Sequence, residues 1–169
     1  MKPLVLAIFS LFTFAARAQN DIKPSDSFTI TGEVSHEITF TLADLEKFES
    51  KKIDNVIITN HMGEAKETDT NLRGIPIKEI LAKTEFRETN PKLFSQFYLV
   101  FEATDGYRVV YSWNEIFNTT TGDNTYIITQ KNDQKLAAMS DRILLLTTSD
   151  LITGRRNMKA LSKIIIRRA

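Results

Sequence analysis

The chain has 169 residues, with 22 Lys and Arg against 21 Asp and Glu, two His and no cysteine. The missing thiols exclude disulfides, iron–sulfur clusters and thiolate-held metals in one step. The near-balance of charge argues against nucleic acid as a main partner, because phosphate binding draws on concentrated positive charge.

The N-terminus reads as a targeting segment. Lys2 precedes an apolar run from Leu4 to Ala16, broken only by Ser10 and Thr13, and Ala16-Arg17-Ala18 matches the small-x-small pattern of a signal-peptidase site. The run is shorter than the roughly 20 apolar residues a permanent span needs. The sequence therefore predicts export, periplasmic or extracellular, with no stable membrane anchor after cleavage. Residues 1–18 form the signal peptide, 19–27 a flexible polar leader containing Pro24, and 28–169 a single domain. Cleavage removes Lys2 and Arg17 and leaves 20 basic against 21 acidic side chains.

Phe28-Thr29-Ile30-Thr31 alternates apolar and polar residues up to Gly32, and Glu37-Ile38-Thr39-Phe40 repeats the alternation, so both are predicted strands. Thr41 fits an N-cap, with Leu42, Leu45 and Phe48 on one face of a short helix. Ile53 to Thr59 reads as one buried strand. The polar stretch from Asn60 to Asn71 reads as a long loop, and long ordered loops are more often functional than connective. Pro76 suits a first helical position ahead of Ile77, Ile80 and Leu81. Phe97–Ala103 and Tyr107–Tyr111 are predicted to form a hairpin across Asp105-Gly106, a dipeptide suited to a two-residue turn. Ser112 can cap a helical turn through Trp113 and Phe117. Tyr126–Thr129 is a further strand, Lys131 to Gln134 a polar turn, Ile143–Thr147 a buried strand, Thr148–Asn157 a second polar loop, and Ile164 to Ile166 the closing strand. Many short strands with few short helices describe an α+β, β-rich mixed-sheet fold, and no repeat period recurs.

The chemistry these residues offer is limited. His36 and His61 lie 25 positions apart, and only the scattered carboxylates Glu64, Glu67 and Asp69 approach His61 at plausible ligand spacing, so no metal site is expected. No Gly-x-Ser-x-Gly elbow or triad spacing appears, and no catalytic residue is assigned. Asn118-Thr119-Thr120 matches a glycosylation acceptor, a pattern that chance often produces. A basic group is more promising: after Gly154, a turn of helix would point Arg156, Lys159 and Lys163 one way, and an arginine fork binds phosphate or carboxylate.

Taken in order, the strand ending at Gly32, the segment Ile38-Thr39-Phe40-Thr41-Leu42-Ala43-Asp44-Leu45, the run Leu72 to Leu81 with Gly74-Ile75-Pro76-Ile77, Asp105-Gly106-Tyr107, and Arg156 through Ile166 resemble the molybdopterin-binding domain of the sulfite oxidase family. The resemblance implies a β-rich α+β fold holding a pterin whose dithiolene, with one protein cysteine, binds molybdenum. That cysteine would follow the strand at Val56 to Ile58, where this chain reads Thr59-Asn60-His61-Met62-Gly63. Leu72-Arg73 likewise stands where the family places an aromatic before the glycine. The resemblance thus marks Asn60, His61, Arg73, Arg155, Arg156 and Lys159 as cofactor-binding positions, with molybdopterin possible but no cofactor expected. The leading expectation is a non-catalytic domain that binds a pterin-like or other small anionic ligand, or a protein partner, in the former cofactor cleft. The alternatives are a molybdopterin-dependent oxidoreductase with a non-cysteine metal ligand and a secreted structural module.

Overall fold

The structure, a computed structural model, describes residues 22–169. The predicted signal peptide lies outside the described residues. In chain order the elements are β1 (Ser27–Gly32), β2 (Ile38–Thr41), α1 (Leu42–Leu45), β3 (Lys51–Ile53), β4 (Val56–Thr59), β5 (Ala65–Asp69), β6 (Leu72–Pro76), α2 (Ile77–Leu81), β7 (Phe97–Ala103), β8 (Arg108–Ser112), α3 (Trp113–Phe117), α4 (Thr120–Asp123), β9 (Thr125–Lys131), β10 (Gln134–Lys135), β11 (Leu144–Thr147) and β12 (Leu161–Arg168). This is the β-rich α+β architecture expected from the alternation.

One sheet runs β2-β1-β12-β7-β8, and a second runs β10-β9-β6-β3 with β11 added to β9. The first is antiparallel except where β1 and β12 pair in parallel, with Thr29 opposite Lys163 and Ile30 opposite Ile164. That pairing brings the C-terminal strand to the middle of the sheet. Phe28 and Ile30 of β1, Leu99 and Phe101 of β7, and Ile164 and Ile166 of β12 point inward. They join Leu72 and Ile75, Ile127 and Ile128, and Leu144 to Leu146 from the second sheet in one contiguous core. Ile77, Ile80 and Leu81 of α2 and Ile116 of α3 complete it.

Local chemistry explains the short helices. Thr41 caps α1 through Asp44 N while the Asp44 carboxylate returns to Thr41 N, and Ser112 and Glu115 repeat this reciprocal arrangement at α3. Hydrogen bonds from Lys47 and then Thr41 hold the exposed Asp44 carboxyl well below the usual carboxylate range. Helix α1 ends at Leu45, short of Phe48, whose ring nonetheless packs on Phe40 with centroids 6.0 Å apart.

Four expectations need correction. The single strand expected over 53–59 is broken at Asp54-Asn55, so that β3 joins the second sheet through β6 while β4 leaves to pair with β5. The stretch from Asn60 to Asn71 is no loop: β5 turns back on β4 as a hairpin. Four of its five residues are exposed, so the apolar alternation that announces a strand is missing. Strand β6, which precedes α2 and lies between β3 and β9, was hidden for the opposite reason. Leu72, Gly74, Ile75 and Pro76 are all buried, and such a short apolar run has no period to read. Pro76 accordingly ends that strand and sits at the N-cap of α2, not inside it. Finally, the turn between β7 and β8 has three residues, with Ala103 N bonded to Tyr107 O and only Gly106 in the left-handed region at φ 85°. That is the three-residue hairpin with glycine at its last position, and not the two-residue turn.

Residues 23–27, grouped with the leader from sequence, are tied to the body. Thr104 Oγ1 donates to Lys23 O at 2.6 Å, Ser25 bridges Arg142, and Ser27 begins β1.

Candidate functional site

A cleft of about 410 Å³ opens where the β4–β5 hairpin, the β7–β8 turn and the segment before β12 meet. Ile58, Thr59, Asn60 and His61 line it from β4 and its turn, Lys66 and Glu67 from β5, Ala103, Asp105 and Tyr107 from the β7–β8 hairpin, and Gly154, Asn157 and Lys159 from the late segment. Its size is that of a small-molecule site.

The β4–β5 turn is closed by its own residues. Asn60 Oδ1 accepts from Met62 N at 2.9 Å and Glu64 N at 3.0 Å, and Asn60 Nδ2 donates to Glu64 Oε2 at 2.7 Å. Gly63 takes the left-handed conformation the turn needs, φ 94°. The amide of Asn60 is thus engaged in shaping the wall and has little capacity left for a ligand.

The late segment closes the exposed edge of β4. Thr153, 5% exposed, accepts from Thr59 N at 2.9 Å and donates to Ile57 O at 2.8 Å, so one hydroxyl stands in for a strand's backbone pair. Gly154 follows because the approach is tight: a Cβ there would lie 1.9 Å from Thr59 O. Arg155 Nε donates to His61 O at 3.1 Å, and Tyr107 Oη donates to Arg155 O at 2.6 Å. These bonds join the three walls.

The basic residues are not grouped as expected. Residues 153–155 form a single 3₁₀ turn, Met158 bridges Leu145, Ala160 takes φ 51° and β12 begins at Leu161. The backbone from Arg156 to Ala160 is irregular and β12 follows, so Arg156, Lys159 and Lys163 do not share a helical face. Each has a local acidic partner. Arg156 forks onto Asp150 at 2.7 and 2.5 Å, reaches Glu115 at 3.2 Å, and lies 4.5 Å over the ring of Tyr111. The Asp150 hydrogen bonds raise the pKa of this guanidinium above its ordinary value against the opposing effect of burial. Lys159 pairs with Asp141 at 3.2 Å, and Lys163 lies 3.9 Å from Glu102 on the neighbouring strand. Beneath Arg156, burial pushes the Tyr111 hydroxyl up to about 12, and it bonds to Thr147 Oγ1, which meets Thr125 Oγ1.

Asn60, His61 and Lys159 therefore share the cleft, and Arg155 reaches its rim through His61 O. Arg156 is held behind the late segment by its ion pairs. Arg73 lies on β6, donates to Ser50 O, and faces a different hollow beside Gln130. Sequence reasoning passed over Lys66, Asp105, Tyr107 and Asn157 as cleft residues. Asp105 and Tyr107 carried a signal only as turn residues, and nothing local places them across from a segment some 50 positions later. Asp69 is fully buried at the end of β5, where Asn132 Nδ2 donates to its Oδ1 at 3.4 Å, Lys131 approaches to 3.9 Å, and its Oδ2 has no partner. Burial raises its pKa, with Lys131 opposing.

No family model matches the chain, and no curated protein matches it. Among solved structures, it is similar to the sulfane dehydrogenase SoxCD from Paracoccus pantotrophus, with a TM-score of 0.64 at 12% identity, covering 83% of this chain and 37% of that one. The chain thus spans well under half the length of that neighbour. At such identity the likeness shows fold alone, the β-rich α+β fold of the sulfite oxidase molybdopterin-binding domain type. The residues present do not supply the thiolate that the resemblance assigns to molybdenum. The β4–β5 turn has no thiol and the Asn60 amide is engaged in that turn, and among the described residues no group of three His, Asp or Glu side chains is placed to hold a metal ion by itself.

Proposed function

We propose that this chain is an exported, non-catalytic domain that keeps the sulfite oxidase-like scaffold and uses the cleft between the β4–β5 and β7–β8 hairpins to bind a small ligand. One observation carries the reading: the position that the resemblance assigns to a metal-ligating cysteine is a self-closed turn, Asn60 to Glu64, in a chain without cysteine. Replacing residues that orient a metal ligand commonly lowers affinity or activity 10- to 100-fold, and loss of the ligand itself is more severe. The walls of the cleft are meanwhile built with care, through Thr153, Arg155 and Tyr107. Export is part of the proposal and rests on the N-terminal apolar run and its small-x-small site.

The test is expression of the whole chain, signal included, in a host that makes molybdopterin. Molybdenum is then measured by elemental analysis, and released pterin by fluorescence. The expected result is a folded protein without stoichiometric molybdenum. Metal at one equivalent together with oxidase or reductase turnover would overturn the proposal. Loss of that turnover in His61→Ala would then assign the metal to the histidine in the cleft.

A further inference from the structure

Strands β3 and β6 pair in the second sheet, with Ile53 opposite Leu72, and the same two stretches of chain continue as β4 and β5, with Val56 opposite Asp69. The ribbon breaks between them, at Asp54-Asn55 on one side and Thr70-Asn71 on the other, where Asn71 takes φ 50°. The β9–β10 turn buttresses this elbow. Asn132 Oδ1 accepts from Thr70 N at 2.8 Å and from Thr70 Oγ1 at 3.2 Å, Asn132 N donates to Thr70 O at 2.8 Å, and Asn71 Nδ2 donates to Asp133 Oδ1 at 2.9 Å. Beside these bonds Asp69 is fully buried. We propose that Asp69 latches the elbow while its side chain is neutral, so that the β5 wall of the cleft is held in acid and loosens as pH rises.

The contacts of Asp69 are those of a neutral acid. A buried carboxylate is stabilised by short charge-assisted bonds of about 2.7–2.9 Å. Here Asn132 Nδ2 stands at 3.4 Å from Oδ1 and Lys131 Nζ at 3.9 Å, and Oδ2 has no partner among the described residues. The charged groups acting on Asp69 are Lys131 of β9, Glu67 two residues earlier on β5, and Lys159 of the late segment, itself paired with Asp141. Burial outweighs the two lysines and disfavours the charge. Opening the elbow admits water and returns Asp69 to an ordinary carboxylic acid, so ionisation and opening favour each other. The β4 side is held differently, because Thr153 and Gly154 pin it to the late segment through uncharged bonds. Lys66 and Glu67, the cleft residues of β5, therefore loosen with the elbow while Thr59 stays in place. The latch belongs to the wall and does not depend on what the cleft holds.

Native-state hydrogen exchange of the ¹⁵N-labelled full chain tests this, corrected for the intrinsic pH dependence of exchange, with the Asp69 carboxyl ¹³C shift followed alongside. Protection of the Thr70 and Asn132 amides should fall by up to about tenfold per pH unit above about 3.8 and level off once the carboxyl shift shows Asp69 ionised. The Thr59 amide should not follow. Asp69→Asn keeps a neutral side chain of the same shape and should make the Thr70 and Asn132 protection flat with pH. Lys131→Met removes the nearest opposing charge, so the levelling-off should move to higher pH, a shift that reads the latch even if the Asn variant does not fold. Protection that is flat with pH in the native chain, equal losses at Thr70, Asn132 and Thr59, a fall that persists in Asp69→Asn, or a levelling-off that Lys131→Met leaves in place would overturn the latch.

Discussion

Replacing Arg156 by Met separates a structural arginine from a ligand-binding one. Met keeps much of the aliphatic stem over Tyr111 and removes the guanidinium. The loss has three parts: two hydrogen bonds to Asp150, one to Glu115, and the cation over the Tyr111 ring at 4.5 Å. Hydrogen bonds to charged groups contribute about 1.5–3 kcal/mol each when shielded, and breaking a fully buried pair from one side costs about 3–5 kcal/mol. Here the side chain of Arg156 is 22% exposed and that of Asp150 12%, while Glu115 at 42% is well solvated. Water recovers part of the loss, and Glu115 adds little, which leaves about 2–3 kcal/mol. For a domain of this size that is a fall in Tm of roughly 4–12 °C. Thermal and urea unfolding would read it. The double variant Arg156→Met with Asp150→Asn should recover part of the loss, because the less exposed of the two carboxylates, Asp150, is no longer left as an unpaired charge. An unchanged Tm, combined with lost binding of an anion such as phosphate, would refute the reasoning and return Arg156 to the ligand site.

Other outcomes follow from the same geometry. Gly154→Ala puts a methyl 1.9 Å from Thr59 O, a backbone atom, so the late segment must move off β4. Denaturant unfolding should show a loss of about 1–3 kcal/mol, and weaker protection of the Thr59 amide from hydrogen exchange should accompany it. Asp69 sets a pH dependence. Its folded pKa lies above the ordinary 3.8 because of burial, so its contribution is fully present in acid below that value and is lost as pH rises through the folded one. Urea midpoints of Asp69→Asn relative to the native chain should therefore move in favour of the variant as pH rises from about 3.8. A difference that is flat with pH, or of opposite slope, would remove the buried-carboxyl account.

Much of the fold was legible because local chemistry and burial agreed. Thr41 and Ser112 cap helices as their spacing with Asp44 and Glu115 implies. The β7 and β8 strands, β9, β11 and the closing strand appear where apolar and β-branched runs stand. The site was less legible. Asn60, His61 and Lys159 meet in the cleft, but Lys66 and Asp105, which line it with them, gave no functional signal from their neighbours in sequence. The expected basic cluster depended on a helical turn, and the structure has an irregular segment leading into a strand there, so each cation meets a nearby acid.

By itself the sequence determined the composition of any possible site: without a thiol, no fold of this chain can give a metal a thiolate ligand. It also determined the class of the fold, because strand period and cap chemistry are properties of short windows. Only the tertiary structure decided which charges are free. Arg156 and Asp150 are six residues apart and Lys159 and Asp141 eighteen, while the Tyr107–Arg155 contact spans 48 positions. Ion pairing depends on distance in space, falling off with separation and with exposure to water, and no local pattern carries that distance.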